Sequence, residues 1–318
     1  MSRPGAVVIF AGQGSLHRAP FQTGILRAQL DEVSEEIGAA GQFAGVLGDG
    51  PLPPDETLAL FVFAASVAHY RVLHNRDSRP VALLGHGFGE ISALVCGGRL
   101  SASQGAAIVR HRVAALERTG GQGRMIVATT TRAMADHLVD LAGRGRVAVA
   151  AENSITEIVL SGTTTGIDAV EALARQRAIP VRLLNAHWPL HCAAAMQRAA
   201  TDLAGRLGQL KTAPSQTPVF SPILARYYLD SDDLAACLAR HLTSPVRFAD
   251  AFHTLWSDGI RTFVPCGPLR GLDRCIAELT RRRPSVRAQA GAAADLAAGA
   301  RSLHATVDPG GASAHTTC

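Results

Sequence analysis

The chain has 318 residues, enough for one large domain or two unequal ones around a sizeable core, and its 47% apolar and 18% charged residues exclude a disordered or collagen-like chain. A formal charge of +5 comes from scattered arginines with only 5% aromatics, which excludes a nucleic-acid face of clustered basic and stacking side chains. A mildly basic surface suits an acidic protein partner or a phosphate-bearing substrate instead.

From the N-terminus, Val7-Val8-Ile9-Phe10 is too short for a signal-peptide core and lacks a cleavage pattern. It predicts a buried strand that runs into the tight turn Gly12-Gln13-Gly14. Leu58 to Leu73 carries apolar residues at helical intervals, but its apolar stretch, Leu58 to Ala68, falls short of the roughly 20 residues of a bilayer span. A cytoplasmic protein with no membrane segment is therefore expected. Pro80 to Leu84 is again strand-like and ends at Gly85-His86-Gly87-Phe88-Gly89, after which Glu90 to Val95 resumes as a helix. Strand, glycine-framed turn and helix form the order of a parallel α/β unit.

From Gly123 the rhythm shortens. Strand Met125 to Ala128, helix Ala133 to Leu141, strand Arg146 to Ala151, strand Glu157 to Ser161, helix Gly166 to Arg177 and strand Pro180 to Leu184 follow one another. That order predicts a ferredoxin-like α+β subdomain over 123–194, inserted in a large α/β lobe made of 1–122 and 195–300. Met196 to Leu210, Leu234 to His241 and Phe248 to Asp258 read as helices, and Arg261 to Val264 as a strand returning to the large lobe. Arg281, Arg282 and Arg283 follow a further helical stretch and complement its C-terminal dipole. Residues 301–318, with Pro309-Gly310-Gly311, read as a disordered tail.

Six cysteines show no CxxC pair and no zinc spacing, so reduced thiols and no metal are expected. The turn at 85–89 has the framing glycines of a G-x-S-x-G nucleophile elbow, in which a serine stands at a helix N-terminus beside backbone N–H groups able to stabilise an oxyanion. Gly87 occupies the serine position. With Glu90 added, Gly-His-Gly-Phe-Gly-Glu closely resembles the Gly-His-Ser-x-Gly-Glu motif of malonyl-CoA:acyl carrier protein transacylases and the acyltransferase domains of polyketide synthases.

The resemblance continues along the chain. Phe10-Ala11-Gly12-Gln13-Gly14-Ser15 is similar to that family's N-terminal Phe-Pro-Gly-Gln-Gly-Ser, and Asn153 to Gly162 to its Asn-Ser-Pro-x-Gln-x-Val-Ile-Ser-Gly, with Ile155 for proline and Glu157 for glutamine. Pro189-Leu190-His191-Cys192-Ala193 resembles the segment that holds the catalytic histidine, and Ser244 to Phe248 and Gly267-Pro268 match two C-terminal landmarks. The motifs keep family order over roughly residues 5 to 285.

What the resemblance implies is specific. The large lobe is expected to be α/β-hydrolase-like with a parallel sheet. His191 is the general base, supported by a backbone carbonyl from the region of Ser244 to Val246. The N–H groups of Gln13 and Phe88 form the oxyanion hole, and Arg112, 25 positions after Gly87, clamps the carboxylate of a malonyl-type extender. His86, Asn153 and Arg247 are grouped with Arg112 as substrate-binding positions. Malonyl-CoA or a related acyl-CoA is the substrate, an acyl carrier protein the partner, no cofactor is required beyond the CoA thioester, and a monomer is expected.

Taken singly, these residues also have plainer readings. Arg112 stands beside Arg110 and His111 on what could be a solvated basic face, Glu157 reads as an exposed strand residue, Arg247 as a surface arginine, and Cys192 as a small packed cysteine rather than a thiol nucleophile. His86 reads as a packed, hydrogen-bonded histidine. Gly87 has no side chain to acylate, which leaves two functional readings: an acyltransferase without its serine ester, or a catalytically impaired pseudo-acyltransferase that binds carrier protein or acyl-CoA.

Overall fold

The computed structural model describes residues 5–281 apart from residues 11, 13–14, 52, 75–79 and 120. Gln13, Arg282, Arg283, Cys318 and the expected tail 301–318 lie outside the described residues.

In chain order, the first stretch contains strand β1 (Ala6–Phe10), strand β2 (Ser15–Leu16), helices α1 (Gly24–Glu36), α2 (Ala44–Leu47) and α3 (Asp55–His74), strand β3 (Ala82–Gly85), and helices α4 (Gly89–Cys96) and α5 (Ala102–Thr119). The second contains β4 (Arg124–Thr129), α6 (Arg132–Ala142), β5 (Val147–Glu152), β6 (Glu157–Gly162), α7 (Thr164–Gln176) and β7 (Val181–Leu183). The third contains α8 (Ala193–Leu207), β8 (Val219–Ser221), β9 (Arg226–Tyr227), α9 (Leu234–Ala239), α10 (Phe248–Ser257), β10 (Thr262–Cys266), β11 (Leu269–Arg270) and α11 (Leu272–Arg281).

Among the described residues the larger sheet runs β10-β1-β3-β8-β9, parallel throughout except for β9, which pairs antiparallel with β8. The buried, β-branched β1 lies inside it, as expected of a strand covered on both faces. Alternation along the strands assigns the layers. Val8, Phe10 and Leu83 join the core formed with α1, α3, α4, α5 and α8, whereas Val7, Ile9, Ala82 and Leu84 join α10, α11 and part of the smaller sheet. Helix α3 is long and apolar enough to cross a membrane by composition alone, yet Ala59 to Tyr70 is buried without interruption. It is the central helix of the core.

The smaller sheet runs β5-β6-β4-β7 and is antiparallel, the ferredoxin-like order of two split βαβ units. One face packs Ile126, Ile158 and Leu160 against Leu138 of α6 and Ile167 and Val170 of α7. The other face offers Met125, Val127 and Val159 to the core shared with α10. Thr131 and Thr163 cap α6 and α7 by accepting the N–H of Met134 and Gly166. The end of β5 is spliced into the larger lobe, because Val246 donates to the Ala150 carbonyl and Glu152 to the Val246 carbonyl, both at 2.9 Å.

Several expected bounds shift for physical reasons. The helix expected over Met196 to Leu210 starts at Ala193 and stops before Gly208, whose φ of +52° ends it. The helix expected to reach His241 stops at Ala239 and tightens into a 3-10 turn over Arg240–Leu242. Arg281 belongs to α11 rather than following it. The five described cysteines are free thiols.

His69, on α3, accepts the Gly267 N–H on Nδ1 at 3.0 Å, and burial lowers its pKa to about 4. The folded value lies below the unfolded one of about 6.5, so its contribution is complete above that pH and is lost as pH falls toward the folded value. Urea unfolding between about pH 6.5 and about pH 4 is expected to lose about 1.4 kcal/mol per pH unit from this histidine, and His69→Gln is expected to reduce the slope by that amount.

Candidate active site

Strand β3 ends at a turn that needs glycine at position 85 and strains any other residue at position 87. A Cβ at Gly85 would stand 2.3 Å from the Glu90 Cα, and Gly87 has φ of +55°, where an L-residue is strained. The turn closes through Gly89 N–H to the His86 carbonyl and Glu90 N–H to the Gly87 carbonyl, at 3.1 and 3.0 Å. The Phe88 N–H, at the positive end of α4, donates to no acceptor among the described residues. His86 N–H donates to the Phe10 carbonyl at 2.8 Å, so the end of β1 and the turn after β3 are neighbours.

His191 approaches this turn from the segment before α8. Its φ of +64° is unusual for a side-chain-bearing residue and is held by its N–H donating to the Leu242 carbonyl at 2.7 Å. Its Nδ1 lies 2.8 Å from the Ser244 carbonyl, which can only accept, so Nδ1 carries the proton and Nε2 presents a lone pair. A Cβ built on Gly87 would lie 3.4 Å from that Nε2 and 3.5 Å from the Val246 Cγ2. Burial lowers the His191 pKa to about 3, opposed by the Ser244 bond and reinforced by the charges of His86, Arg112 and His241. The imidazole is therefore neutral at physiological pH.

Arg112 is not on a solvated face. It is 2% exposed on α5, with its guanidinium 5.4 Å from the Phe88 ring centroid, while Arg110 turns outward to the Ile37 carbonyl and Glu56. Burial lowers its pKa to about 10, so it still brings a positive charge to the elbow. His86 donates from Nε2 to Asn153 Oδ1 at 2.7 Å, and Asn153 Nδ2 donates to Glu157 Oε1 at 2.9 Å. Cys275 Sγ, at 3.5 Å, reaches the same Glu157 oxygen, so Glu157 is a bridging residue rather than an exposed strand residue. Both ends of the Asn153 amide are thus engaged in bracing His86. Arg247 is exposed at the N-cap of α10, one residue after Val246. Cys192 is buried at the N-cap of α8 and burial pushes its thiol pKa up, which leaves it a packed thiol. Among the described residues no three His, Cys, Asp or Glu side chains gather as metal ligands.

A second buried group escaped the sequence. Tyr228 Oη donates to Glu90 Oε2 at 2.7 Å, and His241 Nε2 lies 3.2 Å from both the tyrosine oxygen and the carboxylate. All three residues are buried, and burial followed by the Glu90 charge raises the Tyr228 pKa well above its ordinary value. Glu90 is on the elbow helix and His241 is in the turn that leads to Ser244, so the group links the elbow to the support of His191. Partners 138 residues apart leave no local pattern to find.

A family model described as the acyl transferase domain matches residues 56–283. A malonyl CoA-acyl carrier protein transacylase of Bacillus subtilis (strain 168) is 30% identical over 234 residues, 71% of this chain and 73% of that protein. The 5-methyl-1-naphthoate synthase of Streptomyces sahachiroi is 30% identical over 269 residues, 82% of this chain but 15% of that protein, and a second Bacillus subtilis transacylase is matched over 56% of its length. The chain therefore spans a small part of one of these relatives and about half of another.

Among solved structures, a malonyl-CoA:acyl carrier protein transacylase from Xanthomonas oryzae superposes with a TM-score of 0.80 at 27% identity, covering 95% of this chain and 99% of that one. A malonyl-transacylase solved in complex with a type II polyketide synthase acyl-carrier protein shares the fold, with a TM-score of 0.77 at 24% identity over 87% of this chain and 92% of that one.

Replacing Tyr228 by phenylalanine removes the hydroxyl donor to a buried carboxylate. Chemical denaturation is expected to show a loss of about 1–3 kcal/mol, more than for a surface tyrosine.

Proposed function

Because the chain belongs to the acyl transferase domain family, we propose that it binds a malonyl-type acyl-CoA and passes the acyl group directly to the phosphopantetheine thiol of an acyl carrier protein, with no serine ester between. The observation that carries this reading is the neutral His191 Nε2 facing the elbow at Gly87, 3.4 Å from where a side chain would begin. A thiol brought to that place can give its proton to Nε2 as its sulfur attacks the thioester carbon. The carbonyl oxygen then takes the Phe88 N–H, joined in this reading by Gln13. Collapse expels the CoA thiolate, which recovers the proton from His191. Arg112 meets the free carboxylate of the acyl group through paired hydrogen bonds while remaining charged in a dry site.

His86 and Asn153 support this site from behind the elbow, and Arg247 is assigned to the substrate's approach. The acyl-CoA and carrier-protein chemistry corresponds to what the Bacillus subtilis and Xanthomonas oryzae relatives are named for. Gly87 itself favours a second reading, a module that docks acyl-CoA or carrier protein without transfer. Mass spectrometry after incubation with malonyl-CoA and a holo carrier protein separates the two: malonyl-carrier above a protein-free control supports transfer, and complex formation with no malonyl-carrier supports docking.

Gly87→Ser is expected to give an enzyme that gains one malonyl group on residue 87, detected on the intact protein and its peptides. No adduct would count against the site. In that background Arg112→Ala is expected to lower malonyl over acetyl preference by about 10- to 100-fold, the range of a charge-assisted pair. Unchanged preference would refute the carboxylate role.

A further inference from the structure

We propose that this elbow also hydrolyses carboxyacyl-CoA thioesters in a single step, with water as the nucleophile in the room that Gly87 leaves beside His191. The inference rests on the thioester-binding reading above and adds a second activity to it.

The nearest atoms to a Cβ at position 87 would be His191 Nε2 at 3.4 Å, His191 Cε1 at 3.5 Å and Val246 Cγ2 at 3.5 Å. A serine there would set its hydroxyl within hydrogen-bond reach of Nε2. A water oxygen is as small as that hydroxyl oxygen and makes the same bond, so glycine converts the position of a tethered nucleophile into a position for a free one. Only Nε2 can accept the water's proton, because Nδ1 already donates to the Ser244 carbonyl. A thioester whose carbonyl oxygen rests on the Phe88 N–H turns its carbon toward this place, as it would toward a serine. Val246 closes the side next to the imidazole, so water and a carrier thiol compete for one position.

The step balances without any further reactant. The water oxygen forms a bond to the carbonyl carbon while one water proton passes to Nε2. The oxyanion then collapses, the carbon–sulfur bond breaks, and the leaving CoA thiolate takes the proton back from His191. One thioester and one water give one carboxylic acid and one CoA thiol, and the base is restored. With Arg112 holding the free carboxylate, the substrates are acyl-CoAs that carry one and the products are dicarboxylic acids.

The test uses the full chain with malonyl-CoA in 18O-water and no carrier protein, following thiol release, label in malonate and the intact protein mass. Expected are thiol release about 10³-fold or more above buffer, the residual catalysis that an oxyanion hole and binding retain without a nucleophile, one 18O in malonate and no added mass on the protein. His191→Asn is expected to lower the rate by about 100-fold, the low end of general-base assistance for a weakly basic imidazole. Gly87→Ala, which leaves the imidazole in place but sets a methyl at the water's position, is expected to lower it comparably, both variants being checked for native circular dichroism. From about pH 5 to about pH 8 the rate should stay flat, because His191 is neutral throughout, whereas hydroxide-driven hydrolysis rises.

Thiol release at the buffer rate while malonyl-CoA is bound overturns the proposal, as does an acceleration that both variants leave unchanged. Malonylation of a carrier with no hydrolysis in its absence sinks this proposal and leaves transfer standing. Failure to bind malonyl-CoA removes both.

Discussion

The bond from the His191 Nδ1–H to the Ser244 carbonyl decides which way the imidazole faces, and the chemistry of the site follows from it. A carbonyl cannot donate, so the tautomer is fixed and Nε2 is left as the acceptor beside the elbow. A carbonyl also carries no full charge, so its hydrogen bond offsets only part of the burial that keeps the ring neutral. The segment 242–246 supplies this support and is itself held from outside the larger sheet, since Val246 exchanges backbone bonds with the end of β5. The smaller sheet therefore positions the imidazole that faces an elbow belonging to the larger one.

Two polar groups, one buried and one part-buried, start from the two ends of the elbow. Glu90, after it, meets Tyr228 and His241, and His241 immediately precedes the carbonyls that hold His191. His86, before it, reaches through Asn153 to Glu157, which Cys275 of α11 also touches. Buried polar groups are rigid when satisfied and costly when partly satisfied: the Asn153 amide is engaged at both ends, whereas among the described residues Glu90 Oε1 and His241 Nδ1 have no hydrogen-bond partner. Ser154 and Thr156 donate to Glu278 of α11 at 2.6 and 2.9 Å, clamping the Asn153 turn from the same helix.

What could be seen in the sequence was what depends on near neighbours. The elbow was legible because its framing glycines stand at fixed positions, and at Gly85 a 2.3 Å approach to the Glu90 Cα admits no other residue. The six elements of the ferredoxin-like unit were legible because each has its own period and turn. Arg112 was ambiguous, since Arg110, His111 and Arg112 are consecutive and composition does not say which turns inward. At about 100° per residue, positions 110 and 112 point to nearly opposite sides of α5, and the core takes Arg112. The pairs β2–β11 and β8–β9 have two or three residues per strand, too short for any alternation to register. Helix α8 begins three residues before the expected start because the left-handed turn at His191 sets the entry of the chain, which no side-chain pattern encodes.

The two positive-φ residues that face each other, Gly87 and His191, are not equivalent energetically. An L-residue at φ of +55° would cost about 1–2 kcal/mol, and glycine removes that cost at position 87. No such relief exists at His191, which keeps both its φ of +64° and its desolvated ring. Strain of this kind persists only where surrounding contacts over-determine it. Here the contacts are the carbonyls of Leu242 and Ser244, and neither involves a side chain at position 87. The imidazole is therefore oriented independently of any side chain at position 87. Glycine at position 87 thus relaxes the elbow without loosening the imidazole, which stays neutral and aimed at the turn.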